Sequence, residues 1–192
     1  MLGVVLILGV VIASHPAPFG VDRGWADAAI AIRSDGLTFV ARHIFDPLGR
    51  FPLSWLIVGV AGLILWRERR RRAVAVLLIG ECASWATNSL IKAAVDRPRP
   101  PGALVEASHT SFPSGHAAFA AVTAVLLVGL LVPTGRRVAP GLLAAGLAVV
   151  MALSRTYLLV HWLTDVIGGL CVGAGIGLLT LAFMDAAADR TD

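Results

Sequence analysis

Charged residues are scarce in this chain of 192 residues: they make up 15% of it, whereas hydrophobic residues make up 57%. Soluble domains carry about 25% charged and about 45–50% apolar residues. The composition therefore excludes an ordinary soluble domain and indicates an integral membrane protein.

Cysteine and lysine are also rare. The two cysteines, Cys82 and Cys171, lie within apolar runs, and we interpret them as buried thiols, not as a disulfide or a metal-binding pair. Lys92 is the only lysine among 16 basic residues. The net charge of +4 does not indicate a nucleic-acid partner, because five basic residues are concentrated in one short loop, residues 67–72.

Long apolar runs predict six membrane-spanning helices, since a bilayer core takes about 20 apolar residues as helix. The six segments are residues 1–14, 51–66, 73–92, 113–132, 138–158 and 161–183. The first reaches only about 21 Å as a helix, against a core of about 30 Å, so it could be the end of a longer helix or a signal-like segment. We expect an all-α, polytopic six-helix bundle forming a single domain over residues 1–192.

The basic loop at residues 67–72 predicts the orientation of this bundle, because cytoplasmic loops carry an excess of arginine and lysine. The arginines of residues 134–137 fall on the same side. Residues 15–50 and 93–112 then face the outside of a cell membrane, and both termini are cytoplasmic. Within the first of these segments, residues 25–44 mix apolar and charged residues, which favours an interfacial helix.

Three polar clusters fall on the predicted outer face. They are KAAVDRPRP at residues 92–100, PSGH at residues 113–116 and SRTYLLVHWLTD at residues 154–165. In the second cluster, proline suits the first turn of a helix and glycine allows a close approach of the backbone. Free N–H groups at such a helix start suit an anion.

The basic residues of these clusters suit a phosphate group. Lys92, Arg99 and Arg155 supply cations, and arginine forks match phosphate oxygens in pairs. The hydroxyl of Ser114 can donate a further hydrogen bond. The sequence shows no acidic cluster suited to Mg²⁺, so we expect side-chain cations to do the electrostatic work without a metal or other cofactor.

Two histidines can supply the chemistry. His161 and Asp165 are four residues apart, on one face of the predicted helix. The carboxylate can fix the tautomer of the imidazole and stabilise its cation. His116 is then free to act as a general acid toward a leaving oxygen.

Together the clusters resemble the signatures of the type 2 phosphatidic acid phosphatase (PAP2) family, which includes membrane lipid phosphatases and soluble vanadium haloperoxidases. The matching patterns, within residues 92–165, are Lys92-x6-Arg99-Pro100, Pro113-Ser114-Gly115-His116 and Ser154-Arg155-x5-His161-x3-Asp165. No signature position departs from the family pattern.

The resemblance implies a lipid phosphatase that works through a phosphohistidine. It implies that His161 is the nucleophile, that Asp165 orients it and that His116 protonates the leaving group. It implies a phosphate site formed by Lys92, Arg99, Ser114, Gly115 and Arg155. The expected substrate is a membrane lipid phosphate; the motifs do not distinguish phosphatidate, phosphatidylglycerophosphate and polyprenyl phosphates or diphosphates.

Three alternatives stay open at this point. A lipid phosphotransferase would use the same phosphohistidine and pass the group to another acceptor. A haloperoxidase is disfavoured by the membrane spans. A non-catalytic lipid-binding protein is disfavoured because binding alone needs neither a nucleophile nor an acid.

Glu81 lies near the middle of the third predicted span, where a charge is costly and often functional. One interpretation is support of Lys92 through Asn88, which shares its helix face; the other is a hydrogen bond of a protonated Glu81 between helices. We favour the second for Glu81 and a supporting role for Asn88.

Three further features concern packing and the outer loop. Gly169, Gly173 and Gly177 form a small-xxx-small ridge, which favours close packing within the bundle over a dimer face. Glu106 and His109 lie in the loop between the first two clusters and could contact substrate.

Overall fold

The computed structural model describes residues 1–107 and 110–188, and this part of the chain is helical with no β-strand. Its helices are α1 (Leu2–Ser14), α2 (Gly20–Ala31), α3 (Asp35–Val40), α4 (Asp46–Leu48), α5 (Leu53–Arg67), α6 (Arg71–Ala94), α7 (Gly115–Leu131), α8 (Val138–Tyr157) and α9 (Leu163–Ala188). A π-helical turn, Ala41–Phe45, joins α3 to α4. The expected all-α class is confirmed.

Helix length supports fewer spans than the sequence predicts. In the described part of the chain, three helices, α6, α8 and α9, are long and apolar enough to cross a membrane, and the pair formed by α3–α4 and α5 adds a fourth if its 54° bend lies within one span. Helices α1 and α7 are apolar but have 13 and 17 residues. They reach about 20 and about 26 Å, short of a core of about 30 Å. The prediction of a membrane protein is therefore supported, whereas the count of six spans is not confirmed.

The outer surface of the helices is apolar. Leu90, Leu142 and Phe183 are among many large hydrophobic side chains that are exposed, which suits contact with lipid. Cys82 is exposed on this surface and Cys171 is half-buried, and both are free thiols. The expectation that both cysteines are buried is therefore wrong for Cys82, because its side of α6 faces outward.

Helix α7 lies at the centre, against α6, α8 and α9. Glycines let α9 approach it closely: a Cβ at Gly173 would lie 2.0 Å from the carbonyl oxygen of Ala118, and one at Gly169 would lie 2.4 Å from that of Ser114. This confirms that the glycine ridge packs within the bundle. The approach fixes the start of α9 against the start of α7.

The segment before α5 is not one interfacial helix, as the sequence suggested. It breaks between α2 and α3, where the Ser34 hydroxyl caps α3 by accepting a hydrogen bond from the Leu37 amide at 3.3 Å. Trp25 holds α2 against α8 by donating to Thr156 Oγ1 at 2.8 Å. On the same helix, Asp22 is completely buried, so this segment contributes acidic groups to the interior.

Candidate active site

The three polar clusters converge where the end of α6 meets the starts of α7 and α9. Lys92 Nζ and Arg99 Nη2 both donate to the carbonyl oxygen of Thr110, at 3.1 and 2.8 Å. Arg99 also donates to the carbonyl oxygen of Val160. The Ser114 amide donates to the Asp165 carbonyl oxygen at 2.9 Å. These contacts join residues that are up to 61 positions apart in the chain.

His161 sits between a cation and a carboxylate. Its Nε2 is 3.3 Å from Arg99 Nη1, and its Nδ1 is 3.6 Å from Asp165 Oδ2. The distance to Asp165 is longer than a hydrogen bond, so the carboxylate acts here as a nearby charge. With Nδ1 facing the carboxylate, Nε2 is the nitrogen that faces the basic residues.

Burial keeps His161 neutral. It lowers the pKa of His161 to about 4; Asp165 opposes this shift, and the positive charges of Arg99 and Lys92 add to it. The pKa of Arg99 falls to about 10, mainly because the guanidinium is buried. At neutral pH His161 is therefore unprotonated on Nε2, whose lone pair faces Arg99 Nη1, while Arg99 keeps its positive charge.

Asp165 is held by a residue that the sequence analysis did not select. Arg97 Nη1 donates to Asp165 Oδ1 at 2.6 Å, and the Trp162 amide donates to Oδ2 at 2.8 Å. Arg97 Nη2 contacts Asp22 Oδ2 at 2.6 Å, and the Arg97, Asp165 and Asp22 side chains are wholly buried. The signal in the sequence was a second arginine between Asp96 and Pro98, two positions before Arg99.

His116 and Arg155 meet at a second residue that the sequence analysis missed. His116 Nε2 donates to the carbonyl oxygen of Asp46 at 3.0 Å, and Arg155 Nη1 contacts Asp46 Oδ1 at 2.5 Å. Within the described residues, the other ring nitrogen of His116 has no hydrogen-bond partner. Gly49 allows this arrangement, because a Cβ there would lie 2.1 Å from the His116 ring.

The start of α7 carries unused donors. Ser114 is its N-cap, and the Ser114 hydroxyl is buried without a hydrogen-bond partner among the described residues. The next residue, Gly115, begins the helix, so the N–H groups of its first turn point at the same place. Arg155 Nε is a further buried donor without such a partner. Unpaired buried donors of this kind suit an anionic ligand.

All eight residues selected from the sequence therefore lie in these connected contacts or at the start of α7. Of the loop residues, Glu106 is exposed and its carbonyl accepts a hydrogen bond from Arg50, whereas His109 lies outside the described residues. The described part of the chain has no group of three or more His, Cys, Asp and Glu side chains placed to hold a metal.

Comparison with known proteins gives consistent matches. The family model described as PAP2 superfamily matches residues 71–189. Phosphatidylglycerophosphatase B of Bacillus subtilis (strain 168) is 31% identical over 170 residues, which cover 84% of this chain and 82% of that protein. Decaprenylphosphoryl-5-phosphoribose phosphatase of Mycobacterium tuberculosis (strain CDC 1551 / Oshkosh) is 35% identical over 168 residues, 82% of this chain and 89% of that protein.

A solved structure has the same fold. The transmembrane PAP2-type phosphatidylglycerolphosphate phosphatase from Bacillus subtilis superposes with a TM-score of 0.82 at 28% identity, covering 95% of this chain and 94% of that one. The match includes the segment before α5 as well as the signature region. The chain belongs to the PAP2 superfamily and to its membrane lipid phosphatase branch.

Proposed function

We propose that this lipid phosphatase attacks its substrate with Nε2 of His161 and forms a phosphohistidine. One observation carries the proposal: Nε2 faces Arg99 at 3.3 Å, while Nδ1 faces Asp165. Asp165 stabilises the imidazolium character that develops on attack, as the carboxylate of a catalytic triad does. The low pKa of His161 supports the role, since the ring is unprotonated at neutral pH.

The phosphate group binds among the donors around His161. Lys92 and Arg99 already converge on the Thr110 carbonyl oxygen, and an anionic phosphate would be a stronger acceptor there. The Ser114 hydroxyl and the N–H groups of Gly115 and the rest of the first turn of α7 supply neutral donors. Arg155, through its unpaired Nε, completes the charge that stabilises the transition state.

His116 serves as the general acid. As Nε2 attacks phosphorus, the bond from phosphorus to the lipid oxygen breaks, and His116 gives that oxygen its proton. We assign this step to Nδ1 of the His116 imidazolium, in which both ring nitrogens carry a proton, because Nε2 already donates to the Asp46 carbonyl oxygen. The ring is left neutral, with its remaining proton on Nε2. In the second step His116 takes a proton from water, the water oxygen attacks phosphorus, the bond to His161 breaks and inorganic phosphate leaves.

The reaction takes place at the outer face of a six-helix bundle. This proposal takes α1 and α7 as spans despite their length, and it takes α5 with α3–α4 as a bent one. Arg71 and Lys92, at opposite ends of α6, are about 32 Å apart along a straight helix, about one bilayer core. A cysteine at Ala103 should react with an impermeant thiol reagent in intact cells, and one at Arg70 should not; the reverse pattern would place the site inside.

The substrate is a phosphomonoester or diphosphate on a membrane lipid. The names of the two relatives give two candidates, phosphatidylglycerophosphate and a phosphoribosyl polyprenyl phosphate. The test is release of inorganic phosphate by purified protein in detergent from these lipids, from phosphatidate and from a polyprenyl diphosphate. A matched His161→Ala protein controls for contaminating phosphatases. If phosphate leaves the substrate only when an acceptor lipid is added, and is then found on that acceptor, the protein is a transferase and not a hydrolase. If no lipid is turned over, the proposal is wrong.

A further inference from the structure

A cavity of about 240 Å³ lies beside His116, between α5, α6 and α7. Its wall carries four buried polar side chains. Ser54, Glu81, Ser84 and Asn88 line it, and all four are at most 5% exposed. Polar groups at this depth are costly unless they have partners or serve a ligand.

Two of these groups offer hydrogen bonds to a ligand. Asn88 Nδ2 is a buried donor without a hydrogen-bond partner among the described residues. Glu81 accepts a hydrogen bond from Thr123 at 2.7 Å through Oε1, which leaves Oε2 for the cavity. The two side chains are about 10 Å apart along α6, with Ser84 between them on the same face. A donor, a hydroxyl and a carboxyl group therefore follow one another along the wall.

The position of the cavity relates it to the leaving group of the reaction. His116, the proposed general acid, lines the cavity, whereas His161 does not. An oxygen that receives its proton from His116 carries its carbon substituent on the His116 side of the phosphate. The cavity thus receives the leaving alcohol and not the phosphate. Its volume is smaller than that of pockets which enclose whole drug-sized molecules, so it fits a short polar group.

We propose that this cavity binds free hydroxyl groups on the leaving alcohol, so that the preferred substrates are phosphomonoesters of a lipid-linked polyol, such as glycerol or a pentose. Such a hydroxyl would accept from Asn88 Nδ2 and donate to Ser84 Oγ, and a further hydroxyl, deeper in the cavity, would donate to Glu81. A polar cavity built to bond hydroxyls discriminates against an alcohol that lacks them, because its buried polar groups then stay unpaired. The proposal rests on the proposed function, since it uses the role of His116.

The test compares two lipids that differ in this group. Phosphatidylglycerophosphate has a free hydroxyl on the glycerol that bears the phosphate, whereas phosphatidate has none. The wild-type protein should have a higher kcat/KM for the first. In Asn88→Leu the ratio of the two kcat/KM values should fall about tenfold, the loss of one hydrogen bond.

Two further variants keep the test decisive. Thr87→Val changes a neighbouring residue of α6 that does not line the cavity, and the ratio should stay at the wild-type value. Ser84→Ala is the smaller change to use if Asn88→Leu does not fold, and it should lower the ratio in the same direction. A purely structural role would lower both kcat/KM values together. The proposal is overturned, with the phosphatase activity intact, if the cavity variants leave the ratio unchanged or if the wild type does not prefer phosphatidylglycerophosphate to phosphatidate. If neither lipid is hydrolysed, the proposed function is overturned instead.

Discussion

Arg97 and Asp165 are joined by a contact of 2.6 Å between Nη1 and Oδ1, and both side chains are wholly buried. The same guanidinium reaches Asp22 of α2 through its other terminal nitrogen, also at 2.6 Å. On the side away from His161, the Asp165 carboxylate is thus held by Arg97, which is held in turn by Asp22. This series of charged contacts connects the proposed nucleophile to the segment that precedes α5.

Replacing Arg97 should destabilise the protein strongly. Arg97→Leu leaves Asp22 and Asp165 buried without their cation, and breaking a buried pair in this way costs about 3–5 kcal/mol. The check is the thermal unfolding temperature in detergent, with Arg67→Leu as the control because Arg67 is exposed. Equal unfolding temperatures for the two variants would show that this buried series of charged contacts does not stabilise the fold.

The pH profile should reflect the low pKa of His161. The ring stays neutral until the pH approaches about 4, so kcat/KM should persist below pH 6.5 and fall on an acid limb near pH 4. The substrate phosphate also titrates, with a second pKa of about 6, and its ionisation is measured separately and removed from the profile. Asp165→Asn should lower activity and move the limb to still lower pH, because the carboxylate stabilises the imidazolium. A limb near pH 6.5, or one that rises in the variant, would contradict the assignment.

His116→Ala should harm poor leaving groups most. General acid catalysis contributes about 10²–10⁴-fold, and a lipid alkoxide needs this proton. The phenolate of p-nitrophenyl phosphate leaves readily without this proton, so hydrolysis of that substrate should be partly spared. The measurement is kcat/KM for both substrates in wild type and variant, and equal losses would remove His116 from the role of acid.

Chelation should leave activity intact. In the proposed mechanism, Lys92, Arg99 and Arg155 supply the positive charge that a metal provides in other phosphoryl-transfer enzymes. Purified protein treated with EDTA is assayed before and after addition of Mg²⁺. Loss of activity on chelation, with recovery in Mg²⁺, would contradict the expectation.

The sequence selected residues that the structure brings together, but it did not select the residues that hold them in place. Short spacings assigned Lys92, Arg99, His116 and His161 to three motifs, and alternation of the six predicted spans predicted that the motifs share one face of the membrane. Asp22 and Asp46 were missed because each acts on residues far along the chain: Asp22 is 75 positions from Arg97 and Asp46 is 109 positions from Arg155. Their segment has balanced charge, which gives no sign of a buried partner.

The polar residues of helix α6 show the same limit of prediction from the sequence, because their partners lie on other helices or loops. The favoured interpretation of Glu81, a hydrogen bond between helices, is confirmed by its contact with Thr123. The supporting role expected for Asn88 is not found: Lys92 bonds the carbonyl oxygens of Thr110 and Ser111, and Asn88 Nδ2 has no partner among the described residues. Helical periodicity assigns a residue to a face, but the neighbouring helix determines what that face meets.

The central claim, nucleophilic attack by His161, is tested most directly by trapping the phosphoenzyme. Protein is mixed with substrate that carries labelled phosphate and quenched in alkali, which preserves phosphohistidine. Wild type should retain label that acid releases, and His161→Ala should have neither label nor turnover. His116→Ala should still be labelled by p-nitrophenyl phosphate, since its leaving group departs without a proton. Label or turnover in His161→Ala would contradict the account.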